Sequence, residues 1–181
     1  MIAVALDPAA VPVAVAGRGA AALRRFTALQ TASHGTARLF SDQPIGLEPA
    51  GDALCPYLPT PSDLTSLRVL WITGLPDETA AGLAAQARSE RVLVNVEDRP
   101  ALCDFHSVAE IRRGDLLLTV STNGASPRLA ARIRARLEAQ YPQLWSTRLA
   151  TLRQCRTLWR EQGSDVTALT DALLEANGWL V

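Results

Sequence analysis

Apolar residues in this chain come in short runs separated by stretches with helical spacing. Residues 11–16 (VPVAVA) form a brief, β-branched apolar run, the mark of a strand buried on both faces. The turn Gly17-Arg-Gly19 follows, and apolar positions then recur at helical spacing over 23–33, where Gly35 ends the helix. Residues 36–40, 67–73 and 92–96 read as three further strands, and the turn at 74–77 introduces a helix predicted over 78–89. Strands alternating with helices at this interval predict an α/β fold, a Rossmann-like doubly wound parallel sheet. Between them, Pro44, Pro49, Pro56, Pro59 and Pro61 reduce residues 43–66 to a connector with room for one short helix. Farther on, residues 116–120 form another apolar strand, which opens into the small-residue loop 121–127. A basic amphipathic helix over 128–140 stops at Pro142, and two short helices split at Gly163-Ser164 occupy 144–181. Helices this short and amphipathic need a partner, so a small helical dimerisation region is expected there.

Composition narrows the classes without choosing one. Among 181 residues, 18 basic side chains balance 18 acidic ones, so net charge favours neither nucleic acid nor a membrane surface. Cys55, Cys103 and Cys155 are widely spaced and form no CxxC or zinc pattern, which favours a reducing, cytoplasmic setting and no metal site. Residues 1–16 lack an early basic residue and are interrupted by Asp7-Pro8 and Pro12, unlike a secretory leader. No run reaches the roughly 18 apolar residues of a membrane span.

Candidate chemistry gathers at the strand ends. Gly17, Gly19 and Ala22 match G-x-G-x-x-A, in which the glycines permit a tight turn and the approach of a pyrophosphate. The helix start that follows supplies oriented N–H donors. Asp42 ends the second strand, where an acid holds the ribose diol of a dinucleotide; there it favours NAD over NADP, since it repels a 2′-phosphate. Asp42 fits equally as a turn acid before Gln43 and Pro44. Asp98 ends the fourth strand and suits either a ligand-facing carboxylate or an Asx-turn acid. By strand alternation, Glu97 is expected on the opposite side from Asp98, which argues against an acid/base pair. Ser121, Thr122, Asn123 and Gly124 offer hydroxyls and N–H groups that suit a carboxylate, or a plain turn with Ser126 as N-cap and Pro127 at the first helical position. His106 reads as structural or functional, and His34 as a helix end. The expected organisation is a dinucleotide-binding domain over 1–112, a strand–loop–helix segment over 113–141 and a helical region over 142–181.

These motifs, taken in order, resemble a known family. N-V-E-D at 95–98, L-C-D-F at 102–105, I-R-R-G at 111–114, V-S-T-N-G-A-S-P at 120–127 and L-A-A-R-I-R at 129–134 are similar to the siroheme-synthase amino-terminal module. That family comprises precorrin-2 dehydrogenases, some of them also sirohydrochlorin ferrochelatases. The resemblance implies NAD-dependent oxidation of precorrin-2 to sirohydrochlorin by a homodimer, with Fe2+ insertion as a further activity of bifunctional members. A relative that inserts metal alone, or binds tetrapyrrole without NAD, is the alternative. Asp98 falls on the family's essential aspartate, taken as general base and as important for metal insertion. Gly17, Arg18, Gly19, Ala20 and Ala21 fall on the nucleotide turn, with Arg18 over its middle glycine. Asp42, Gln43 and Pro44 fall on NAD contacts, and Thr73 and Gly74 lie on the nicotinamide side. Asn95, His106, Arg128 and the loop Ser121, Thr122, Asn123 and Gly124 fall on the tetrapyrrole side. The substrate's many carboxylates would suit Arg112, Arg113, Arg128 and Arg132.

Overall fold

Five consecutive buried positions, Val13–Gly17, make β1 the centre of the sheet. In the structure, a computed structural model that describes residues 2–179, β1 is joined by β2 (Arg38–Phe40), β3 (Leu54–Cys55), β4 (Val69–Thr73) and β5 (Leu93–Val96). The strands lie in the order β3-β2-β1-β4-β5 and every pair is parallel. Strand alternation sends Ala14 and Ala16 to one face, with Ile72, Leu83 and Val94, and sends Val13 and Val15 to the other, with Phe26 and Leu39. Helix α1 (Gly19–Ala32) covers the second face through Ala22 and Phe26, and α3 (Asp77–Ser89) covers the first through Ala80, Leu83, Ala84 and Ala87. This is the expected doubly wound sheet. The 43–66 connector holds more than the one short helix expected: a 3-10 helix (Glu48–Ala53) and the edge strand β3 precede α2 (Pro61–Thr65), which is closed by a Thr60–Asp63 capping box.

The order of connections reverses at β1, so the crevice outside the carboxyl ends of β1 and β4 is where ligands bind in such sheets. Helix α1 starts at Gly19, four residues before the expected start, because Ala20, Ala21 and Ala22 are strong helix formers.

The chain divides into two units, Met1–Ser107 and Val108–Val181. The division precedes the expected boundary at 112 because a strand there is easy to miss. β6 (Ala109–Arg113) pairs antiparallel with β7 (Leu116–Val120), with Arg113 opposite Leu116. Strand β7 was expected to open a site as parallel strands do; it is instead half of a hairpin. Only Ile111 of β6 is buried, and Glu110, Arg112 and Arg113 hide its β character. Gly114 takes φ 60° in the two-residue turn, the left-handed conformation that such hairpins need at that place. The second unit continues through α4 (Pro127–Gln140), α5 (Trp145–Glu161) and α6 (Val166–Ala176). The Trp145 ring meets Tyr141 and Trp179, and the Arg148 guanidinium lies over Trp145 and Trp179, tying the end of α6 to α5. Among the described residues no helix is long and apolar enough to cross a membrane.

Candidate functional site

In the first unit the loops after β1 and β4 touch. A Cβ on Gly17 would lie 2.1 Å from the Thr73 carbonyl oxygen, and one on Gly74 would lie 2.5 Å from that of Arg18. Glycine at both positions therefore lets two backbones meet at the sheet's reversal point. Gly19, by contrast, takes φ +63° and faces open space. The first turn of α1 has no side-chain cap and no acid, so its N–H groups are left for another acceptor.

A cavity of about 240 Å3 lies at this edge, lined by Ala21, Thr73, Gly74, Glu97, Asp98 and Arg99, among others. A second, of about 240 Å3, extends along α1 past Arg24 and Arg25 and shares Ala21 and Glu97. The two acids share one cavity, contrary to the alternation expected from the sequence. Strand β5 ends at Val96, and Asp98 then turns back with φ 61°, so strand geometry no longer applies. Glu97 accepts a hydrogen bond from the hydroxyl of Thr73 and lies 3.8 Å from the Arg25 guanidinium. Asp98 is exposed and has no hydrogen bond or ion pair among the described residues. Arg99 is held by Asp77 and by the Leu75 carbonyl oxygen. Arg25 and Arg99 carry no sequence signal of their own, and Glu97 was expected on the opposite side; the E-D-R-P turn just past a strand was the available sign that alternation stops.

Asn95 and His106 do not join this cavity. Asn95 is buried, and its amide donates to the Phe105 carbonyl oxygen at 2.8 Å. With Asp104, which accepts from the Val94 amide at 2.9 Å and pairs with Arg88, it holds the connector against β5. The L-C-D-F segment is therefore structural here. His106 is exposed beyond it.

At the other end of the crevice, Arg18 and Asp42 bond to each other. Nε donates to Oδ1 at 2.7 Å and Nη2 to Oδ2 at 2.6 Å, a bidentate fork. The guanidinium's hydrogen bonds hold the Asp42 carboxyl below the usual range and raise Arg18 in turn. Gln43 donates its amide to the buried Ser41 hydroxyl, shaping the turn, and Pro44 follows half-buried. The donor set suits a dinucleotide: uncapped N–H groups beside an open Gly19 for the pyrophosphate, an acid at the β2 end for a ribose, and a cavity past Thr73 for the nicotinamide.

The second unit holds the other expected residues. Asn123 (φ 52°) and Gly124 (φ 79°) turn the loop tightly, and the Thr122 hydroxyl bonds both the amide and the carbonyl of Ser126. The Asn123 amide donates to the Ser121 hydroxyl. Ser126 caps α4 through the Leu129 amide, with Pro127 first in the helix. Arg112 pairs with Glu110, and Arg113 donates to the Tyr141 carbonyl oxygen, so both are engaged locally. Arg128 and Arg132 are exposed and have no ion pair among the described residues. No group of three or more metal-ligating side chains occurs among the described residues.

Two family models match the chain. One, described as "Putative NAD(P)-binding", covers residues 4–109, and the other, the sirohaem biosynthesis protein central segment, covers 113–140. A siroheme synthase from Ectopseudomonas mendocina is 35% identical over 145 residues, covering 72% of this chain and 29% of that protein. A siroheme synthase from Methylococcus capsulatus is 46% identical over 67 residues, 37% of this chain and 14% of that protein. The siroheme biosynthesis protein met8 of Schizosaccharomyces pombe is 46% identical over 52 residues, 29% of this chain and 20% of that protein. The chain thus spans less than a third of the length of these curated relatives. Among solved structures, SirC, a precorrin-2 dehydrogenase, superposes with a TM-score of 0.79 over 99% of this chain and 92% of its own, at 23% identity.

Proposed function

Since the chain belongs to this NAD(P)-binding family, with the sirohaem central segment directly after it, we propose that it oxidises precorrin-2 to sirohydrochlorin with NAD. The oxidation removes a hydride and a proton from the macrocycle. A bound nicotinamide dinucleotide supplies the hydride acceptor. The chain's own residues bind, orient and take the proton. The α1 amides and Gly19 hold the pyrophosphate, Asp42 faces the adenosine ribose, and Thr73 and Gly74 shape the nicotinamide end. Asp98 is the base: its carboxylate lines the cavity and has no hydrogen-bond donor or ion-pair partner among the described residues. Glu97, tied to Thr73 and close to Arg25, is a positioning residue that fixes the cavity wall. The hydroxyls and amides of Ser121, Thr122, Asn123 and Gly124, with Arg128 and Arg132, are groups of the kind that bind a substrate's carboxylates.

The observation that carries this reading is Asp98 in a cavity shared with Thr73 and Gly74, at the sheet's reversal point. The test is anaerobic conversion of precorrin-2 with NAD. Wild type is expected to form sirohydrochlorin, and Asp98→Ala to lose activity by about 100-fold or more, the scale of a general base. Turnover that survives Asp98→Ala would sink the assignment.

A second reading, a metal chelatase or tetrapyrrole binder that has lost the dinucleotide, draws on Arg18, which in this structure already engages the acid expected to hold the ribose. Metal insertion into sirohydrochlorin without NAD, by a chain that does not bind NAD, would favour it. The homodimer belongs to the same proposal: Leu129 (50% exposed) and Ile133 (38%) leave the apolar side of α4 uncovered.

A further inference from the structure

Rossmann-type sites choose between NAD and NADP at the end of the second strand. An acid there accepts from the 2′-hydroxyl and repels a 2′-phosphate, and a nearby arginine does the reverse. This chain places both at that point, already bonded to each other. Arg18, between Gly17 and Gly19, reaches across the end of the sheet to Asp42 through two hydrogen bonds of 2.7 and 2.6 Å. The two side chains are 22% and 38% exposed, so neither is sealed away from a ligand.

The donor and acceptor inventory decides what the pair can still do. A guanidinium has about five N–H donors, and Asp42 uses one on Nε and one on Nη2, so the rest remain available. A carboxylate has about four acceptor sites, and Arg18 takes one on each oxygen, leaving room for a sugar diol. The negative charge that would exclude a 2′-phosphate is met by a bidentate counter-charge. The nearby α1 N-terminus adds no acid of its own to repel it. Glu48, the next acid along the chain, is engaged with the Gly46 amide.

We propose that the Arg18–Asp42 fork makes the adenosine end of this site accept NADP alongside NAD, with Asp42 reading the ribose diol and Arg18 the 2′-phosphate. The inference rests on the nicotinamide-dinucleotide reading above and adds the specificity-determining pair. An arginine on the ribose acid is compatible with dinucleotide binding, because the fork leaves both partners unsaturated.

The test is calorimetric titration of the full chain with NAD and with NADP, which reads binding without turnover. Wild type is expected to bind both, with dissociation constants within about tenfold of each other. Arg18→Ala should weaken NADP by about tenfold or more relative to NAD, the loss of one charge-assisted contact (about 1.4 kcal/mol per tenfold). Asp42→Asn should move the ratio the other way and favour NADP. Arg18→Met, which keeps the aliphatic stem, repeats the first test if the alanine variant proves unstable by thermal melt. A NAD/NADP ratio unchanged by Arg18→Ala and Arg18→Met, or wild type that binds NAD and rejects NADP, would overturn the inference alone. Failure of wild type to bind either dinucleotide would overturn both the inference and the function it rests on.

Discussion

Replacing Gly17 with alanine tests the packing at the centre of the fold. The added Cβ would sit 2.1 Å from the Thr73 carbonyl oxygen, 3.0 Å from its carbonyl carbon and 3.0 Å from its Cγ2. Two of these atoms are backbone, on the neighbouring strand, at the register position where Gly17 pairs with Thr73. No side-chain rotation relieves the clash, so the ends of β1 and β4 must part. Overpacking of this kind costs about 1–3 kcal/mol. Parting the strands also endangers the Arg18 amide's hydrogen bond to Thr73 (3.2 Å), a further ~0.5–1.5 kcal/mol. The stiffer unfolded chain of the alanine variant returns about 0.4–1 kcal/mol. The net expectation is a loss of ~2–3 kcal/mol, a fall in melting temperature of roughly 10–20 °C for a unit of this size. Thermal and urea unfolding followed by circular dichroism measure it. Gly19→Ala is the contrast: its Cβ meets nothing within 4 Å, and only the left-handed φ of +63° opposes it, at about 1–2 kcal/mol. A Gly17→Ala protein that melts within ~2 °C of wild type would refute the close approach of the two loops.

Asp98→Gly should be at least as stable as wild type in the same melts, because glycine takes φ 61° without strain, yet should be inactive. A stable, active variant would show that the strained aspartate is dispensable. The capping-box acid Asp63 gives a pH signature. Burial pushes its carboxyl up, but the Thr60 hydroxyl and amide and the Arg38 charge outweigh that, so the folded pKa is lowered. A lowered pKa gives stability that is complete above the unfolded value of about 3.9 and is lost as pH falls through the folded one. Asp63→Asn should therefore cost about 1 kcal/mol at neutral pH and nothing once the wild-type acid is protonated. A difference that persists in strong acid would contradict this. If α4 is the dimer face, Leu129→Arg with Ile133→Glu should give a monomer by sedimentation, and an unchanged dimer would place the interface elsewhere.

Much of the first unit was readable from residue patterns, because parallel strands buried on both faces announce themselves as unbroken apolar runs such as 13–17 and 69–73. The second unit was harder. Strand β6 carries Glu110, Arg112 and Arg113 around one buried Ile111, a pattern that resembles a charged loop. The same limit applies to the site. Gly17, Gly19, Asp42 and Asp98 could be placed at strand ends from spacing alone, but the bond between Arg18 and Asp42 spans 24 residues and depends on a side-chain direction that spacing does not encode. Glu97 was assigned to the wrong side because alternation was carried past the strand's end, where the positive φ of Asp98 breaks it. Asn95, which the family resemblance puts on the tetrapyrrole side, is buried and donates to the Phe105 carbonyl oxygen, a partner ten residues on that the N-V-E-D motif does not announce.

The central claim is that this chain couples an Asp98 base to a nicotinamide acceptor on a tetrapyrrole. Single-turnover reaction of the full chain with precorrin-2 and NAD under anaerobic conditions tests it most directly, with NADH and sirohydrochlorin followed together. The expected result is one NADH for each sirohydrochlorin in wild type, and neither product with Asp98→Asn, which keeps the left-handed turn that asparagine tolerates. Sirohydrochlorin formed without NADH, or in equal yield with Asp98→Asn, would contradict it.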